Sequence, residues 1–325
     1  MTNSSSPLTH YLPNVSSIVY GCMGLGGNWD DSPITNAYVE QANDCVNTAL
    51  ESGINFFDHA DIYTLGKAEQ VFGKVLSERP QLRKKIYIQS KCGIRFADAN
   101  GPKRYDLSAD WIEASVESSL QRLNTDYLDV LMLHRPDPLM QPEEIARAFE
   151  ALKREGKVHH FAVSNMQHHQ IAFLQHALDE PLVANQIEAS LLKQDWIDEG
   201  VYAGNSEGRD INFTSGTLEY CRRQNIQLQS WGSLAQGLYS GRDVKGESDA
   251  VQRTSLLVTT LADVYSTSPE AIVLAWLMRH PVRMQPVIGT TDCARIAASC
   301  QAMNIQLSRE HWYALYVSAK GHELP

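Results

Sequence analysis

What this chain lacks narrows its function first. No apolar run approaches the ~20 residues a helix needs to cross a bilayer, so no membrane partner is expected. Lys and Arg number 28 against 38 Asp and Glu, a net charge of −10, and the cations are scattered, which argues against nucleic acid. The six cysteines contain no Cys-x-x-Cys pair, so reduced, buried thiols are expected in place of a disulfide framework. Cys22 and Cys92, at presumed strand ends, are the two to watch for reactivity. His159-His160 and His168-His169 match no standard zinc spacing, so no metal is expected. Residues 1–7 lack the basic and apolar regions of a signal peptide; residues 1–10 read as a flexible lead-in and the location as cytoplasmic. A phosphate-cradling fingerprint is missing too. Gly21-Cys22-Met23-Gly24-Leu25-Gly26-Gly27 is glycine-rich, but it does not run into a helix and fits G-x-G-x-x-G poorly.

What is present is a rhythm. Short β-rich runs at 17–20, 56–58, 86–90, 130–133, 160–163, 183–186, 226–231 and 286–288 alternate with helical periodicity at 37–52, 68–76, 110–123, 142–154, 167–177, 269–278 and 292–303. One more helix is expected at 311–319. Eight strands in alternation with helices favour an α/β fold of the closed (β/α)8 TIM-barrel type, one domain over residues 1–325. It should carry an N-terminal β-hairpin or short lead-in, extra helices, and long loops at the C-terminal face. Two irregular stretches, 93–107 and 195–215, follow strands at that face and are candidate substrate-enclosing loops.

Polar chemistry sits at successive strand ends. Asp58-His59-Ala60-Asp61-Ile62-Tyr63 follows the second strand, Lys91 closes the third and His134 the fourth. In a barrel these ends meet around one mouth. A free tyrosine is a poor acid at neutral pH; an adjacent ammonium lowers its pKa and a carboxylate holds the ammonium in place. Tyr63, Lys91 and Asp58 form such a set, and His134 is suited to orient a carbonyl oxygen or to assist proton transfer. Taken singly each has an ordinary explanation: Asp58 a cap, Tyr63 a half-buried core aromatic, Lys91 a solvated strand end, His134 a structural histidine. Their order and placement point instead to a site that donates a proton to a reacting oxygen.

These segments, together with Gln89-Ser90-Lys91, Leu131-Met132-Leu133-His134-Arg135-Pro136-Asp137 and Val163-Ser164-Asn165, resemble the aldo-keto reductase superfamily in order and spacing. The resemblance runs from Tyr20-Gly21 to Leu307-Ser308 and is nearest to the bacterial reductases that share a branch with potassium-channel β subunits. It implies an NADPH-dependent reductase of small-molecule aldehydes or ketones, monomeric or weakly homo-oligomeric, with NADH the less favoured cofactor. Tyr63 would be the general acid, Lys91 and Asp58 its tuning pair, and His134 the group that positions the carbonyl. Ser164, Asn165 and Gln186 would hold the nicotinamide carboxamide, and Trp231 would stack on its ring. Gly232, Ser233, Leu234, Ala235, Gln236 and Gly237 would wrap the pyrophosphate. Gly289, Thr290, Thr291 and Arg295 would hold the adenosine 2′-phosphate, with Ser299 near the adenine and Cys22 and Met23 against the cofactor. The chain departs from the family pattern where Gly232-Ser233-Leu234 replaces Ser-Pro-Leu, where Gly289 replaces a frequent lysine, and where Ser299 stands near a frequent Asn.

Two other functions compete on the same residues. A Schiff-base lyase would use Lys91 as an amine nucleophile, but gives no role to Trp231 and Arg295. A redox-sensing auxiliary subunit would bind NADPH and turn over little.

Overall fold

Residues on the barrel strands divide between two apolar clusters in alternation, the mark of strands that face a closed interior on one side and helices on the other. Phe56, Val130, Met132, Ala162 and Val287 belong to the inner cluster; Phe57, Leu131, Leu133, Phe161 and Ile288 belong to the outer one. The computed structural model describes residues 6–325. Its strands are β1 (Val19–Gly21), β2 (Phe56–Asp58), β3 (Tyr87–Cys92), the short β4 (Ile94–Arg95) and β5 (Arg104–Tyr105), then β6 (Leu128–Leu133), β7 (Val158–Ser164), β8 (Leu182–Glu188), β9 (Gln227–Trp231) and β10 (Gln285–Ile288). All but β4 and β5 are parallel and close in the order β1-β10-β9-β8-β7-β6-β3-β2; β4 and β5 form an antiparallel hairpin above β3. The expected (β/α)8 barrel is the fold observed.

The helices are α1 (Asn36–Glu51), α2 (Lys67–Glu78), α3 (Ala109–Leu123), α4 (Pro142–Arg154), α5 (His168–Gln175), α6 (Asp195–Val201), α7 (Thr217–Arg223), α8 (Asp249–Val264), α9 (Pro269–Arg279), α10 (Cys293–Cys300) and α11 (Arg309–Lys320). Their starts follow cap chemistry: the Ser108, Ser248, Ser268 and Ser308 hydroxyls accept from backbone N–H groups three residues on, and Asp292 accepts from Ala294 and Arg295. The fit of α2 to α3 requires Gly73, where a Cβ would lie 2.1 Å from the Arg122 carbonyl oxygen.

Several segments depart from expectation: 93–107, read as irregular, carries β4 and β5, and α7 was not foreseen. Within the expected flexible lead-in 1–10, residues 1–5 lie outside the described residues, but Pro7–His10 is a 3₁₀ turn. Its Leu8, fully buried, joins Leu12 and Val15 in closing the N-terminal end of the barrel, so apolar burial orders what composition alone reads as a tail. The stretch 195–215, read as irregular, contains α6 and a 3₁₀ turn at Ser206–Asp210. The unforeseen α8 is rich in Thr and Val, which mute helix propensity. Its buried Val251, Thr254, Val258, Leu261 and Ala262 nonetheless keep helical spacing behind the Ser248 cap.

Candidate active site

The C-terminal ends of β2, β3 and β6 bring the four expected catalytic residues together. Lys91 Nζ donates to Asp58 Oδ1 at 2.6 Å, to the His59 carbonyl oxygen at 3.0 Å and to Tyr63 Oη at 2.9 Å. The Lys91 side chain is wholly buried and that of Asp58 nearly so. The Tyr63 ring meets His134 edge to face, with centroids 6.0 Å apart. Tyr63 opens a turn in which Thr64 (φ 47°), Leu65 (φ 60°) and Gly66 (φ 83°) are all left-handed. Such backbone is strained for Thr and Leu and is held from outside: Thr64 Oγ1 donates to the Leu25 carbonyl at 3.0 Å.

Beneath Asp58 lies a chain of amides that sequence reasoning missed. Gln89 Nε2 donates to Asp58 Oδ1 at 2.5 Å, and Gln186 Nε2 to the same oxygen at 3.4 Å. Both also donate to Gln229 Oε1 at 3.0 Å, and Gln229 Nε2 donates to Gln285 Oε1 at 3.0 Å. Four strands thus supply one buried neutral network that fixes the carboxylate. The available signal was a glutamine recurring at strand positions where a barrel interior is usually apolar.

Electrostatics differ from the simple expectation for Tyr63. Burial raises its pKa, Lys91 offsets only part of that, and Asp58 adds to the rise, so the phenol stays above the usual tyrosine value and keeps its proton. Lys91 moves the same way: burial works to lower its pKa, but Asp58 and Tyr63 outweigh it, and the ammonium persists. His134 is held neutral, its pKa lowered to about 2 by burial and by Lys91 and Arg135. Its Nδ1 is buried with no protein partner. Neighbouring His59 falls to about 3 through burial and Lys91.

Behind β3 a second polar cluster supports the strand. Glu69, fully buried, accepts from Ser90 Oγ at 2.6 Å and from Arg122 Nε at 2.7 Å. Asp61, whose N–H donates to the Lys91 carbonyl at 3.0 Å, is raised to about 8, first by burial and then by Glu69. Cys22 and Cys92, the two thiols to watch, are both buried with pKa values raised well above the ordinary value, chiefly by that burial. They are poor thiolates.

The expected cofactor residues fall into three sets. Around Trp231, the indole N–H donates to Asn165 Oδ1 at 2.9 Å, and Asn165 Nδ2 donates to Ser164 Oγ at 2.8 Å and the His134 carbonyl at 3.3 Å. The Arg135 guanidinium lies 5.7 Å from the Trp231 ring centre. At the second set, Ala235 (φ 47°), Gln236 (φ 55°) and Gly237 (φ 79°) make a left-handed run after Gly232 and Leu234. Arg295 packs on it: a Cβ at Gly237 would lie 3.0 Å from Arg295 Nη2, which donates to the Ser240 carbonyl at 3.0 Å, and Arg295 Nε is 3.2 Å from Glu270 Oε1. Gly289, Thr290 and Thr291 face the Cys22–Gly24 turn, whose Met23 is exposed; the Tyr20 hydroxyl donates to the Thr290 carbonyl at 3.2 Å.

A third set is not brought to the mouth by its side chains. The Ser164 hydroxyl donates to the Gln186 carbonyl at 3.0 Å, Ser233 donates to the Ser230 carbonyl at 2.8 Å, and the Gln186 amide is committed to the network below Asp58. Ser299 is fully buried and its hydroxyl turns back to the Arg295 carbonyl at 2.8 Å. Cys22 is likewise wholly buried. Trp196, at the start of α6, is core: its ring meets Trp276 at 5.9 Å and His280 at 5.1 Å. Among the described residues no group of His, Cys, Asp and Glu could hold a metal ion, and no helix is long and apolar enough to cross a membrane.

Comparison with known proteins bears on this geometry. A family profile described as the aldo/keto reductase family matches residues 17–316. Similar proteins include YcsN of Bacillus subtilis, named an uncharacterised oxidoreductase, 36% identical over 280 residues that cover 85% of this chain and 87% of that one. A 6-dehydroglucose reductase of Agrobacterium fabrum is 36% identical over 316 residues, covering 95% of this chain and 96% of its own. Among solved structures, the thermostable aldo-keto reductase Tm1743 in complex with the inhibitor epalrestat superposes with a TM-score of 0.73. That likeness covers 94% of this chain and 95% of the other at 22% identity, and speaks to the fold.

Proposed function

The chain belongs to the aldo/keto reductase family, an oxidoreductase family, and on that premise we propose that it reduces an aldehyde or ketone to the alcohol with NADPH as hydride donor and Tyr63 as general acid. The observation that carries the reading is the buried bridge of Lys91 Nζ between Asp58 Oδ1 at 2.6 Å and Tyr63 Oη at 2.9 Å. Bound NADPH would supply the hydride to the carbonyl carbon. Tyr63, a protonated phenol, gives its proton to the carbonyl oxygen as that oxygen becomes negative, and the Lys91 ammonium stabilises the phenolate left behind. Asp58 fixes Lys91 and balances its charge. His134, neutral and beside the Tyr63 ring, is positioned to direct the carbonyl oxygen without competing as an acid.

The surfaces around the mouth fit an extended nicotinamide dinucleotide. Trp231, braced by Asn165 and Arg135, offers a flat ring, and the run Ala235–Gly237 lets backbone approach a phosphate closely. Arg295 stands beside that run, which supports the 2′-phosphate form over NADH. The 6-dehydroglucose reductase among its relatives is named for carbonyl reduction, the same class of reaction. Residues 1–325 act in this proposal as one domain, cytoplasmic, monomeric or weakly homo-oligomeric, with a small-molecule carbonyl as partner.

The lyase reading loses support from the same bridge, since a lysine held as an ammonium by three acceptors offers no lone pair for imine formation. The decisive test is Tyr63→Phe. It should abolish carbonyl-dependent NADPH consumption, a loss of about a hundredfold or more, while NADPH affinity measured by fluorescence is retained. A variant that kept most of its turnover would remove Tyr63 from the mechanism.

A further inference from the structure

Of the six cysteines only Cys293 is partly exposed, and it lies beside a buried one. Cys293 opens α10 directly after the Asp292 cap, and Cys45 lies on the buried face of α1. The Cys45 thiol interacts with the Cys293 thiol and with the Tyr20 hydroxyl, and it donates to the Thr291 carbonyl at 3.5 Å. β1 (through Tyr20), α1 and α10 thus converge on one pair of sulfurs. Two side chains hold the carbonyls of the segment 289–291 from behind. The Tyr20 hydroxyl donates to Thr290 at 3.2 Å, and the Cys45 thiol donates to the next carbonyl. One of these two fastenings is a group that oxidation removes.

We infer that Cys45 and Cys293 are a modification site for hydrogen peroxide, closing to a disulfide between α1 and α10 that loosens the segment 289–291. The order of events follows from exposure. Burial chiefly pushes the Cys45 thiol up to about 11, so it does not lead. Cys293 gives up its proton and attacks the peroxide. The O–O bond breaks, a sulfenic acid forms, and the displaced hydroxide takes that proton and leaves as water. Cys45 then attacks the Cys293 sulfur: the S–S bond forms, the S–O bond breaks, and the hydroxyl leaves as water with the Cys45 proton. Two thiols are oxidised and one peroxide is reduced to two waters. Cys45 then has no hydrogen to give to Thr291, and the first turn of α10, which carries Arg295, is drawn toward α1. The disulfide stands on the sulfurs alone. Its effect on the cofactor rests on the proposed reductase, in which 289–291 and Arg295 hold the adenosine 2′-phosphate.

Hydrogen peroxide in slight excess over the full chain, followed by alkylation of free thiols and peptide mass mapping, tests it. A peptide cross-linked between Cys45 and Cys293 should appear. NADPH affinity, read by fluorescence, should fall about threefold or more, the scale of one lost hydrogen bond. Dithiothreitol should reverse both. In Cys293→Ala the cross-link should be absent and peroxide should leave NADPH affinity unchanged. Cys45→Ser keeps a donor for Thr291 but cannot form the bond, so peroxide should carry Cys293 on to the sulfinic acid. Alkylated Cys45 and Cys293 after treatment, or a cross-link to Cys22 in place of Cys293, overturns the pair. A cross-link that leaves NADPH affinity unchanged overturns the loosening. If the reduced protein binds no NADPH, the reductase reading fails separately, and the peptide map still decides the pair.

Discussion

Two loops rise from the same end of the barrel and use their polar residues in opposite ways. The hairpin β4–β5, with its flanks over residues 93–107, spends its charge on itself. Arg95 pairs with Asp98 at 2.9 Å and Asp106 at 3.1 Å, Arg104 pairs with Asp98 at 3.0 Å, and Arg95 also covers the Trp111 ring at 4.1 Å. Asp137 then ties the hairpin's far end down by accepting from Leu107 N at 3.0 Å. The loop over 195–215 does the reverse. Its Asp195 and Asn212 are left unspent, and it is fastened instead through the back of α6, where Asp198 accepts from the Tyr316 hydroxyl and, at 2.6 Å, from Lys320 Nζ on α11. A loop whose charges are satisfied internally is a wall. One whose anchor faces away from the mouth leaves its other side to solvent.

The sharpest break in this contrast is Asp198→Ala. Asp198 is buried, and removing it leaves the Lys320 ammonium uncompensated, a loss of about 3–5 kcal/mol. Urea unfolding should show it, and the KM for substrate should rise as α6 loosens; an unchanged midpoint would mean the loop is anchored elsewhere. On the hairpin side, Gly93→Ala is next. Gly93 has φ +104°, and a Cβ there would lie 2.5 Å from Leu107 Cδ2, so about 1–3 kcal/mol of strain and overpacking is expected in the same assay.

A smaller effect probes the foundation under β3, beside the hairpin. Asp61 titrates near 8 in the fold against 3.8 as a free group, so the folded protein holds more protons between those values. Stability from this group is therefore present below about pH 4 and is lost progressively as pH rises through about 8. Asp61→Asn should raise the melting temperature relative to the parent more at pH 9 than at pH 5, and least at pH 3.5; equal shifts at all three would rule out the protonated carboxyl. The least effect is expected from Asp98→Asn, which removes the carboxylate that Arg95 and Arg104 share in a solvent-facing network, while Arg95 keeps Asp106. Its melting point should drop slightly at low salt and match the parent in 1 M NaCl, since such exposed pairs are screened.

How much of this was legible beforehand depended on distance along the chain. Asp58 and Tyr63 lie five residues apart and mark a strand end by themselves; Lys91 and His134 close strands whose apolar runs are plain. The barrel followed from alternation, and Pro142–Arg154 was readable to its ends because proline starts it. The amide chain was not readable, because Gln89, Gln186, Gln229 and Gln285 are separated by up to 196 positions, and only closure of the barrel puts them within 3.4 Å of a shared partner. The direction of the Tyr63 shift was missed for a physical reason: an adjacent ammonium is visible in sequence, whereas the burial that outweighs it is not.

The amides of that chain have a further consequence, for traffic through the barrel axis. Below Asp58 the interior passes from glutamine side chains to Val130, Met132 and Phe56, and then to the Leu8 and Leu12 stopper. Neither amides nor hydrocarbons take up or release protons in the range where enzymes work. The floor is an insulator. A proton that Tyr63 hands over in the proposed reaction is therefore not replaced through the floor; it returns by way of the mouth and the groups bonded there, Lys91 first among them.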